Sequence, residues 1–139
     1  MKNRTDKVLL LKIQRYLTHL AAVYDVIKDM SDVELEDELL AYSAAQLITN
    51  LKESYDMLES EEMHERYKLL RKPSIVKIRN IASHDYESLN WSIVKSGCKA
   101  LIQAYHSKTY HDDSLAILDA QKDSSLVDEL SVALDMPEN

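Results

Sequence analysis

Leu9, Ile13, Tyr16, Leu20, Val23 and Ile27 recur at alternating steps of four and three between about Thr5 and Asp29. That period predicts a helix with one buried face, leaving Lys7, Lys12 and Arg15 on a solvated side that an RNA backbone could also contact. Ser31 and Glu34 have the spacing of a capping box, so the chain is expected to turn near Met30 to Asp32 and restart. The second long helix then runs to about Leu58, with Leu40, Ala44, Leu47, Leu51, Tyr55 and Leu58 repeating the core spacing. A short connection makes these two helices antiparallel neighbours. Asp32, Glu34, Glu36, Asp37 and Glu38 suit the positive end of the second helix's dipole, and Glu53 is expected near its core side.

Pro73 disfavours helical geometry at Lys72 and is itself well tolerated at a first helical position. A third helix is predicted from Ser74 to about His84, and a fourth from Ser88 or Asn90 to about Tyr105. The fourth carries Trp91, Val94, Cys98, Leu101 and Tyr105 on one stripe. Beyond His106 the pattern weakens, although Leu126, Leu130, Ala133 and Leu134 fit one short helix capped by Ser124 or Ser125. The patterning predicts an all-α protein with a helical domain over 1–110 and an acidic C-terminal extension over 111–139.

Composition narrows this further. One Gly, two Pro and no Phe argue against sheets and tight hairpins, and 139 residues are one domain's worth of chain. The single Cys98 rules out an internal disulfide framework, and Lys2, Arg4 and Lys7 occupy the place of a signal-peptide core, so a cytoplasmic location is expected. No apolar run approaches the roughly 18 to 20 residues of a membrane span. The net charge of −7 is adverse to nucleic acid until it is divided along the chain. Acids and bases balance over 1–110, whereas 111–139 holds one lysine among its acids, so the excess belongs to the tail.

After an acidic stretch from Glu59 to Glu65 the sign flips. Arg66, Lys68, Arg71, Lys72, Lys77 and Arg79 have no acid among them and form a candidate RNA-binding run, against the simpler reading of a solvated surface. The run leads into Arg79-Asn80-Ile81-Ala82-Ser83-His84-Asp85-Tyr86. An arginine is a permanent cation with a planar fork of donors, and a histidine exchanges protons near neutral pH. If 74–86 stayed helical, Ile78, Ile81 and Ala82 would share one face, with Arg79, Asn80, Ser83, His84 and Tyr86 spread over the other. So wide a spread invites a second copy across a two-fold axis. RNA supplies its own nucleophile in the 2′-hydroxyl, so cleavage needs only proton transfer and cations for the charge developing on phosphorus. His84 and Arg79 fit those catalytic roles, with Asn80 and Ser83 as supporting polar groups. No metal or cofactor is expected. His106, His111, Asp112 and Asp113 lack a supporting ligand spacing, Cys98 and Trp91 read as core, and His19 and His64 read as surface residues.

The complete Arg-Asn-x3-His-x-Tyr string, with Asp37-x2-Leu40-x-Tyr42-x-Ala44-x2-Leu47 upstream, resembles the HEPN superfamily, specifically its HepT branch of minimal toxin ribonucleases. The likeness covers roughly residues 8 to 105. It implies an antiparallel four-helix HEPN-type bundle, a homodimer whose two motifs face a composite cleft, and metal-independent endoribonuclease activity with Arg79 and His84 as the critical pair. It further implies a toxin-antitoxin system in which an MntA-type nucleotidyltransferase antitoxin transfers AMP from ATP to Tyr86. Two other classes compete: a non-catalytic helical module that docks a nucleotidyltransferase or another protein, and an RNA-binding protein without cleavage.

Overall fold

The computed structural model describes residues 2–83 and 88–134, with side chains over 6–83 and 88–121. Every regular element among them is helical: α1 Lys2–Ile27, α2 Asp32–Glu36, α3 Leu39–Met57, α4 Glu61–Arg66, a 3-10 turn Lys68–Arg71, α5 Pro73–Ala82, α6 Trp91–Tyr105 and α7 Lys108–Leu134. None of the described helices is long and apolar enough to cross a membrane.

The all-α expectation holds, and the helices pack as a bundle around one core to which α1, α3, α5 and α6 contribute most of the buried side chains. Leu9, Ile13, Leu20 and Ile27 of the predicted stripe are buried, and so are Leu10 and Leu17 beside it. The stripe is wider than a single period because α1 is covered by α3, α6 and α7 together. All five predicted positions of α6 are buried. At Gly97 an added Cβ would stand 3.3 Å from Cδ1 of both Ile75 and Ile78, so the missing side chain is what lets α6 lie close on α5.

The expected second helix is in fact two. The capping box at Ser31 and Glu34 forms as read, but α2 ends at Asp37, where ψ turns to 7°. Glu38 is extended, and its carboxylate accepts from the Leu40 N–H at 3.3 Å to cap α3. Acids expected to serve one first turn thus serve two. The break carries Leu35 into the core, fully buried. Between α3 and α5 the chain forms α4 and the 3-10 turn, which the apolar spacing did not announce. The third helix ends at Ala82, with Pro73 in its first turn as expected. Where one short helix was expected near the C-terminus, α7 is continuous from Lys108, and its Ser114 and Leu118 are buried.

Two polar arrangements hold the ends of the bundle. Asp6, 1% exposed near the start of α1, accepts from the backbone N–H groups of Glu59 and Ser60 at 2.9 Å each, just beyond the end of α3. This makes α1 and α3 antiparallel. Ser60 in turn caps α4 and donates to Gln121 of α7 at 2.9 Å. Elsewhere Tyr67, Tyr105 and Tyr110 form a cluster with ring centroids 4.9 to 5.3 Å apart. Gln14 donates to the Tyr67 hydroxyl, Tyr67 to Ser114, Tyr110 to the Arg66 carbonyl, and the Leu69 N–H donates to the Tyr105 hydroxyl. One aromatic cluster therefore joins α1, the 3-10 turn, α6 and α7.

Replacing Asp6 by Ala leaves two backbone donors without their acceptor, which should cost about 2 kcal/mol in urea-melt stability. An unchanged melt would show that solvent replaces the carboxylate. Burial pushes the Tyr105 phenol from its ordinary value of 10.0 up to about 12, and raises Tyr67 and Tyr110 by the same cause. The folded state therefore holds phenolic protons that the unfolded chain releases. Stability should be intact below pH 10 and fall as pH climbs toward 12, with late phenolate absorbance as the readout.

Candidate functional site

Helical spacing decides what α5 can present. Ile75, Ile78 and Ala82 turn inward, and Arg79, about 100° round from Ile78, sits at the rim of that face. Its side chain is 28% exposed and reaches across to α3, where Nη1 lies 3.5 Å from Oδ2 of Asp56. Its Nε donates to Oδ1 of Asn80 at 2.9 Å. The guanidinium is thus steadied by a carboxylate on one side and an amide on the other, with its remaining N–H groups unspent among the described residues. Asn80, read from sequence as a supporting polar group, is the amide that accepts from the arginine. Ser83 donates its hydroxyl to the Arg79 carbonyl at 2.9 Å and caps the helix. His84 and Tyr86, expected as proton carrier and modification site, lie outside the described residues.

Asp56 has a second partner. Lys52, one turn earlier on α3, is buried, and its ammonium is 2.6 Å from Oδ1 of Asp56 and 5.1 Å from the centre of the Tyr55 ring. A carboxylate 42% exposed therefore bridges a buried cation and the candidate phosphate-binding one. Glu53, expected toward the core, is exposed, because Lys52, Ser54 and Tyr55 take the inward positions of that turn. Lys52-x3-Asp56 has the i,i+4 spacing of a helical ion pair, which was the available signal.

Beside Arg79 a cleft of about 620 Å³ is lined by Lys52, Tyr55, Asp56, Glu61, His64, Glu65 and Arg71. His64, read from sequence as a surface residue, is half-buried there. Its Nε2–H donates to the Tyr55 carbonyl at 3.0 Å, the Tyr55 hydroxyl donates to the His64 carbonyl at 3.1 Å, and the two rings meet edge to face at 4.8 Å. Burial raises the Tyr55 phenol.

The basic run is divided among different settings. Lys68 and Arg71 both pair with Glu65, at 3.4 and 3.2 Å. The Arg66 guanidinium stacks 4.6 Å above the Tyr110 ring. Lys72 and Lys77 are exposed and have no ion-pair partner among the described residues. Cys98 is fully buried, with its thiol pushed up to about 12, and Trp91 packs edge to face on Tyr42 at 5.4 Å. Among the described residues no group of three or more His, Cys, Asp or Glu is arranged to hold a metal ion.

No family model, curated protein or solved structure matches the chain.

The Lys52–Asp56 pair generates a thermodynamic test. Asp56→Ala should cost about 1 to 3 kcal/mol, less than a fully buried pair because Asp56 is partly solvated. Adding Lys52→Met, which removes the stranded ammonium, should restore most of that loss in a double-mutant cycle by chemical denaturation. Strictly additive losses would contradict the coupling.

Proposed function

We propose that this protein is the toxin of a toxin-antitoxin system, a metal-independent endoribonuclease of the HEPN type. RNA binds with a phosphate on Arg79, His84 moves the proton, and the neighbouring 2′-hydroxyl attacks phosphorus, giving a 2′,3′-cyclic phosphate and a 5′-hydroxyl. The observation that carries this reading is the Arg79 guanidinium, oriented by Asp56 and Asn80 at the rim of α5. The sequence continues from that helix directly into His84. Within the same reading the fold is the antiparallel four-helix HEPN bundle, and two copies oppose their motifs across a composite cleft.

The partner in this reading is an MntA-type nucleotidyltransferase that places AMP on Tyr86. A nucleotide attached two residues from His84 adds bulk and negative charge where substrate phosphate binds, which blocks the cleft. The cytoplasm is the compartment that fits.

A second reading has its own support. Lys68 and Arg71 are already paired with Glu65, as on an ordinary solvated surface, while Val33 and Leu39 are strongly exposed beside the α2–α3 break. A non-catalytic module that docks a nucleotidyltransferase or another protein would use those apolar positions and not Arg79 or His84.

Purified protein incubated with RNA in the presence of a chelator separates the two readings. The nuclease reading expects cleavage that falls by about a hundredfold or more in His84→Ala and Arg79→Ala. RNA left equally intact by all three proteins would exclude the nuclease reading. Intact mass after co-expression with a candidate nucleotidyltransferase should show AMP additions that disappear in Tyr86→Phe.

A further inference from the structure

Phosphate chemistry does not account for the cleft beside Arg79, because it carries carboxylates as well as cations. Asp56 belongs to both places, lining the cleft and accepting from Arg79. A nucleotide adjoining the phosphate on Arg79 would therefore meet the cleft.

The carboxylates there differ in what they have left to offer. Asp56 is taken by Lys52 and Arg79, and Glu65 by Lys68 and Arg71. Glu61 is exposed in the first turn of α4 and has no hydrogen-bond or ion-pair partner among the described residues. An ionised carboxylate only accepts, through two adjacent oxygens. Guanine matches this with two adjacent donors, N1–H and N2–H, on its Watson–Crick edge. Adenine and cytosine set one amino donor beside a ring lone pair, and uracil sets one N–H between two carbonyls, so each of them turns an acceptor toward the carboxylate.

The remaining groups suit a nucleotide. The His64 ring is fixed by its bond to the Tyr55 carbonyl and its contact with the Tyr55 ring, which makes it a preformed surface for base stacking. Arg71, half exposed, has the similarly exposed Glu65 as its one ion-pair partner among the described residues, a partner that a phosphate can displace.

We propose that this cleft is a guanine-preferring nucleotide subsite. Glu61 reads N1–H and N2–H, the base lies against His64, and Arg71 takes a phosphate oxygen. As a subsite of RNA cleavage it rests on the reading of Arg79 as a ribonuclease phosphate clamp, and it gives that ribonuclease a preference for guanosine next to the cut.

Calorimetric titration of the full chain with 5′-GMP, 5′-AMP, 5′-CMP and 5′-UMP tests the subsite without requiring cleavage. 5′-GMP should bind about tenfold more tightly than the other three. Glu61→Gln, which turns one acceptor into a donor, should bring the four to within about twofold of one another. The His64 imidazole resonances should move as 5′-GMP saturates the wild-type protein. Four nucleotides that bind alike or not at all, a guanine preference that survives Glu61→Gln, or saturation that leaves His64 unmoved would each overturn the proposal. Guanine-selective binding by a protein that cuts no RNA would retire the nuclease reading and keep the subsite. Cleavage without guanine selectivity would do the reverse.

Discussion

A buried ammonium needs a counter-charge, and at Lys52 that requirement organises the candidate site. Desolvating a lysine without a partner costs several kcal/mol, so the inward position of Lys52 on α3 fixes an acid within reach. Asp56, one helical turn on, supplies it through one oxygen and leaves the other for Arg79. Arg79 is brought there because Ile75 and Ile78 of α5 pack against the side-chain-free surface of Gly97. Core packing sets where α5 lies, α5 sets where the guanidinium emerges, and the core lysine sets the carboxylate that receives it. The chemistry at the rim is thereby tied to the interior of the bundle.

The same economy governs the surrounding charge. Read as a linear string, Arg66 to Arg79 is a cationic track. In the fold Glu65 shields Lys68 and Arg71, Tyr110 supports Arg66, and Asp56 attends Arg79. Exposed pairs of this kind are worth about 0 to 1 kcal/mol, so an incoming phosphate can exchange with the carboxylates. The arrangement favours a ligand that brings its own strong acceptors and weakens as salt rises. Glu61, with no cation to satisfy among the described residues, is the exception that gives the cleft a use for donors.

Much of the fold was legible because helical burial writes itself at steps of three and four. The α6 stripe, the Ser31–Glu34 capping box and the start of α5 at Pro73 all appear where the spacing put them. The break between α2 and α3 was not legible, since no Gly or Pro marks it and Glu38 creates the new cap from a residue type that also continues helices. α4 was hidden because it is short and is held by tertiary contacts, above all the backbone hydrogen bonds to Asp6, which is more than fifty residues earlier in the chain. In the site, the string at Arg79 and Asn80 was readable as local chemistry. Asp56 was not, because its role depends on α3 and α5 lying side by side, and the one-residue difference between Glu53 and an inward position reverses its exposure. His64 was passed over for the same reason: its partner, Tyr55, lies on another helix.

The proposed cleavage requires a 2′-hydroxyl as nucleophile at a phosphate held by Arg79. The most direct test is an RNA oligonucleotide cut by the purified protein, compared with the same oligonucleotide carrying a single 2′-deoxy nucleotide on the 5′ side of the mapped cut. The proposal predicts that the all-ribose strand is cleaved to 2′,3′-cyclic phosphate and 5′-hydroxyl ends and that the deoxy-substituted strand stays intact at that position. Cleavage of both strands at the same place and rate would contradict it.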